Sequence, residues 1–84
     1  MSNNQKNTGS IPGKDLGRAM NNLRKSLGPT VVDLLITDLQ RQGITLAGGE
    51  SYSIKQVEGA LKKTFGQDGG ELLTDMISKS LQEP

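Results

Sequence analysis

The sequence predicts an all-α fold, a small four-helix domain behind a polar N-terminal tail. Three observations carry this. Apolar residues recur at helical spacing in four separate stretches. Glycine, alone or with proline, punctuates them at Gly28-Pro29, Gly43 and Gly66. One stretch opens with a complete helix-start signature, Tyr52 to Val57. The expected helices cover residues 14–27, 29–42, 53–65 and 69–82. Residues 13–84 form a single domain, and residues 1–12 a disordered tail rich in Asn, Gln, Ser and Gly.

The first helix rests on Leu16, Met20, Leu23 and Leu27, which fall within one narrow stripe. Gly17 weakens its early turns. Leu27-Gly28-Pro29 closes it and opens the second, so the two meet in a tight corner or an antiparallel pair.

The second helix is the organising element. Pro29 suits its first position, where a missing N–H costs nothing. Val31, Val32, Leu34, Leu35, Ile36 and Leu39 spread over an arc of roughly 200° on a helical wheel, wide enough to touch more than one neighbour. The β-branched residues favour a strand, but Asp33, Thr37 and Asp38 do not alternate with period two. Gly43 fits the left-handed position after the helix, with Leu39 and Ile44 as the apolar pair of a Schellman motif. Asp38 falls inside the apolar arc, and the reading is a rim carboxylate reaching solvent or an arginine.

Between the second and third helices, Ile44 and Leu46 flank the polar Thr45 as a short extended segment. Leu46 is expected in the core, and Gly48-Gly49 form a turn. Ser53 then caps the third helix, with Gln56 completing a capping box and Tyr52 and Val57 forming a hydrophobic staple. Ile54, Val57, Leu61 and Phe65 make its apolar stripe, and Gly66 ends it. Asp68 is the expected cap of the last helix, with Glu71 three residues on. Leu72, Leu73, Met76, Ile77 and Leu81 share a face there with Gly69 and Gly70, which permit close helix approach. Each half thus holds a helix pair joined at a glycine. The residues do not align well as a repeat, and a pseudo-two-fold arrangement is left open.

Composition excludes much. The chain has no Cys and no His, which removes disulfides, thiolate nucleophiles, zinc–thiolate sites and the commonest general base. Neither catalytic nor metal-binding residues are assigned, no cofactor is expected, and the chain is read as a non-enzyme. The acid groups Asp33 with Asp38, and Asp68 with Glu71 and Asp75, are read as solvated helix faces. The Gly69-Gly70 turn lacks the spacing and the lysine of a phosphate loop, and the oxygen ligands of a calcium loop. No apolar leader or membrane span is seen, so the expected location is cytoplasmic. A net charge of +1 is far from the strongly basic balance of a typical nucleic-acid binder. A nucleic-acid-binding regulator using Arg18, Arg24, Lys25, Lys62 and Lys63 is nevertheless the alternative to a protein-interaction module.

The residues Leu27-Gly28, Leu34-Leu35, Leu39 to Ile44, Leu46, Ile54, Leu61, Phe65-Gly66, Gly69 to Leu73 and Ile77 resemble a known pattern. From Asn21 to Gln82 the chain is similar to the Nitrosopumilus-type output domain, a small archaeal helical family found alone or attached to response-regulator receivers. The pattern is mostly glycine caps and core aliphatics. Two departures stand out: the segment Gly48–Ser51 is irregular against it, and Gly70 replaces an expected Ala. The resemblance implies a stand-alone signalling or regulatory module, working through a protein partner or by self-association, and no functional residue is carried over from it.

Overall fold

A computed structural model describes residues 10–83. It is mostly helical, with α1 at Gly13–Leu27, α2 at Pro29–Arg41 and α3 at Ile54–Leu81. Two short strands, β1 (Ile11–Pro12) and β2 (Ser51–Tyr52), pair antiparallel with Ile11 opposite Tyr52. These differ from expectation in two ways. Ile11 and Pro12 belong to the folded unit and not to the tail, whose residues 1–9 lie outside the described residues. Among the described residues there are also three helical elements and not four, because the stretches expected as third and fourth meet directly at Gly66 as two arms of one element.

Gly66 explains that junction. It breaks the helix with φ 84° and ψ 172°, a backbone region essentially restricted to glycine. The helix resumes at once, so Asp68 lies inside the helical run and does not cap a new start. The bend is sharp. A Cβ built on Gly70 would stand 2.7 Å from the backbone N and Cα of Lys62. Residues eight apart in a straight helix are separated by about 12 Å along the axis. The chain therefore doubles back at Gly66, and Gly70 is the expected point of close approach. Gly69 is not, since its nearest neighbour would be the Phe65 Cβ at 3.4 Å.

The local signals at the other helix ends are realised. The Ile44 N–H donates to the Leu39 carbonyl at 2.9 Å and the Gly43 N–H to Gln40 at 3.1 Å, with Gly43 at φ 90°. These are the two bonds of a Schellman motif. At the start of α3 the Gln56 N–H donates to Ser53 Oγ at 3.0 Å, and the Ser53 N–H donates to Gln56 Oε1 at 3.2 Å.

The core is aliphatic. Leu16, Met20, Val32, Leu35, Leu39, Val57, Leu61 and Ile77 are the largest fully buried side chains, and Ile44, Leu46 and Tyr52 join them. The segment Ile44–Leu46 is irregular and not extended in a sheet, but it buries both apolar residues as expected. Two polar groups within the core are satisfied: Thr74 Oγ1 donates to the Gly70 carbonyl and Ser80 Oγ to the Ala19 carbonyl. Arg18 Nη1 also donates to the Glu83 carbonyl, fixing the end of α3 on α1.

The two halves share a plan of strand, helix, glycine corner and helix. Gly28 (φ 89°, ψ 155°) makes the first corner in nearly the conformation of Gly66. From the corners outward the correspondence holds at a spacing of 38 positions (66 − 28). Arg24 pairs with Asp33 across the first corner, and Lys62 with Glu71 across the second. Leu34 and Leu72 are both exposed. Gln42 and Ser80 each donate to a backbone carbonyl of the opposite half, at Ala60 and Ala19.

Candidate interaction surface

The apolar arc of α2 is only partly covered. Val32, Leu35 and Leu39 face the core, and Ile36 is half-buried. Val31 and Leu34 are 42% and 57% exposed. They lie three residues apart, hence on one side of the helix. Leu34 borders a shallow hollow of about 120 Å³ with Thr37, Asp38, Arg41, Thr64 and Phe65. The hollow thus joins an apolar wall to a charged rim.

Asp38 is a half-buried rim carboxylate, as one of the two expected readings had it, and its partners are a hydroxyl and an amide, not an arginine. Thr64 Oγ1 donates to Oδ1 at 2.7 Å, and Gln42 Nε2 donates to Oδ2 at 3.1 Å. Gln42 Nε2 also donates to the Ala60 carbonyl at 2.9 Å. The cluster ties the end of α2 to the first arm of α3. Thr64 and Gln42 were not identified from sequence. The i+4 spacing of Gln42 from Asp38 was a readable signal, whereas Thr64 meets them only through the tertiary fold. A second cluster holds the 44–50 loop, where the Thr45 N–H donates to Tyr52 Oη at 3.1 Å and Tyr52 Oη donates to Glu50 Oε1 at 3.3 Å.

The basic residues singled out from sequence divide into two groups. Arg18 lies near Asp15 at 3.7 Å, Arg24 pairs with Asp33 at 2.8 Å, and Lys62 lies between Glu58 at 3.3 Å and Glu71 at 3.7 Å. Each of these three has a carboxylate neighbour. Lys25 and Lys63 are exposed. Arg24-Lys25 and Lys62-Lys63 occupy corresponding places in the two halves. The acidic groups do not assemble either. Asp75 pairs with Lys79, and among the described residues no three of His, Cys, Asp or Glu gather as a metal cluster would. No helix among them is long and apolar enough to cross a membrane.

Comparison with protein-family models, curated proteins and solved structures finds no match.

Proposed function

We propose that this protein is a non-enzymatic regulatory module that works by binding protein, as a stand-alone signalling output domain would. The observation that supports it most is the exposure of Leu34 and Val31 on α2, the helix richest in aliphatic residues. An apolar pair rimmed by charged and hydroxyl side chains has the makeup of a small protein contact. A second copy of the chain is the first occupant to test. Sedimentation velocity from about 10 µM to about 1 mM should show reversible association that Leu34→Lys removes without loss of helix content. A monomer throughout that range would reject self-association.

A nucleic-acid reading draws on the repeated basic pairs Arg24-Lys25 and Lys62-Lys63. The carboxylates beside Arg24 and Lys62 weaken it. Fluorescence anisotropy of labelled duplex and single strand, at about 50 and about 200 mM salt, discriminates the readings. Phosphate contacts make affinity fall steeply between those concentrations, and a flat trace at both removes this reading.

A further inference from the structure

Two corners turn this chain back on itself, and only one of them can open into a continuous helix. At the first, Pro29 follows Gly28. Inside a helix a proline has no N–H to donate, and its ring meets the carbonyl four residues back, here that of Lys25. α1 and α2 therefore cannot merge. At the second corner Gln67 follows Gly66, and Gly66 is the one residue of Ile54–Leu81 with non-helical backbone angles. Each helix end leaves backbone N–H and C=O groups without partners in the helix. A change at Gly66 alone joins the ends of the two arms into one helix of 28 residues.

A straightened second arm cannot stay bare. Ile77 is fully buried, Ser80 Oγ donates to the Ala19 carbonyl at 2.9 Å, and Arg18 Nη1 donates to the Glu83 carbonyl at 2.9 Å. A second copy offers the same core and the same α1. The corner itself suits such a pair. Lys62, Gly66 and Gly70 are four apart, so they lie along one face of a straight α3. Gly70 already approaches Lys62 so closely that a Cβ on it would stand 2.7 Å from the Lys62 backbone. Lys62 and Gly70 are also equally far from Gly66 in sequence. Two straight helices crossing at Gly66 about a two-fold axis thus set Gly70 of each on Lys62 of the other, the reciprocal contact such an axis requires.

We propose that Gly66 is an exchange hinge: α3 straightens there, and residues 67–83 of each copy complete the fold of a second copy. The exchange does not use the exposed face of α2, so Leu34→Lys leaves it intact.

The chain has no cysteine, so spin labels can be placed through Lys55→Cys and Lys79→Cys, both exposed and on different arms. In a straight helix these positions are about 36 Å apart along the axis, and in the bent chain they are closer. Labelled full-length protein is mixed with excess unlabelled protein, so that distances within one chain are read. The mixture is unfolded in urea and refolded at about 10 µM and at about 1 mM. At the higher concentration the long distance is expected in a dimeric fraction, with or without Leu34→Lys. Gly66→Ala should enlarge that fraction, because alanine is strained at this φ and favoured over glycine inside a helix. Acting at both corners of a dimer, it should raise the association constant at least about a hundred-fold. Gly28→Ala carries similar strain without that relief, so it should leave the dimeric fraction at the wild-type level. The short distance alone, in wild type and Gly66→Ala alike, overturns the proposal. So does an unfolded Gly66→Ala beside a wild type that refolds bent at both concentrations, and so does an equal gain in Gly28→Ala. A dimer of bent chains that Leu34→Lys dissolves would uphold the α2 contact and overturn the exchange.

Discussion

At the scale of single residues, adjacent glycines differ in what they do. Gly70 lies against the backbone of Lys62, and Gly69 faces the Phe65 Cβ at ordinary contact distance. Gly70→Ala forces a methyl against main-chain atoms that cannot rotate away, so the corner has to open. The expected cost is about 1–3 kcal/mol, typical of overpacking. Gly69→Ala meets no such barrier, and the lower entropy of its unfolded chain makes it neutral or stabilising by up to about 1 kcal/mol. Urea denaturation of both variants checks this, and equal midpoints would show that the two arms of α3 are not in contact at Gly70. Asp38 teaches a related lesson. Its place within the apolar arc marked it as unusual, but its partners Thr64 and Gln42 were not readable as a set, because Thr64 lies 26 residues away in sequence.

At the scale of elements, the two glycine corners are the decisive features. Gly28 and Gly66 share a conformation that costs any other residue about 1–3 kcal/mol, and no atom lies within 4 Å of where a Cβ would stand at either. Gly28→Ala and Gly66→Ala should therefore destabilise by similar amounts, through backbone strain alone. Thermal or urea unfolding checks it, and a neutral Gly66→Ala would mean that α3 can run straight. Corners and caps were legible in the sequence because their causes are local. A glycine after an apolar stripe, or Ser53 three residues before Gln56, carries the instruction within a single turn. What lay beyond such reach was missed. A two-residue strand has no periodicity to read, and the β1–β2 pair joins positions 39 and 41 apart. The expected fourth helix start at Asp68 failed because Gly66 turns the chain without releasing it from helical geometry on either side.

At the scale of the whole molecule, the repeat was hidden from sequence by one difference in length. The first arm runs for 15 residues in α1, from Gly13 to Leu27, and its counterpart runs only from Ile54 to the corner at Gly66. The spacing between halves is therefore 41 at the strands and 38 beyond the corners, and no single offset aligns them. The exposed pair Leu34 and Leu72 was obscured in the same way. The halves are also interleaved, since Gln42 reaches across to Ala60 and Ser80 to Ala19. Such a fold should tolerate a different order of its parts. Ser10 and Gln82 border the same cleft, and Arg18 of α1 holds the Glu83 carbonyl. Pro84 with residues 1–9 gives a ten-residue tether, able to span up to about 33 Å. A circular permutant joined through that tether, with new ends between the exposed Gly48 and Gly49, keeps every helix and both corners. It should fold with native far-UV circular dichroism and lose no more than about 2 kcal/mol, the order expected for opening one surface loop. The counterpart opened between Gly28 and Pro29 cuts the first corner and frees Arg24 from Asp33, so it should be the less stable of the two. If the loop permutant is unfolded while the corner permutant folds, stability resides in the 44–50 clasp around Tyr52. The corners would then not be what holds the two halves together.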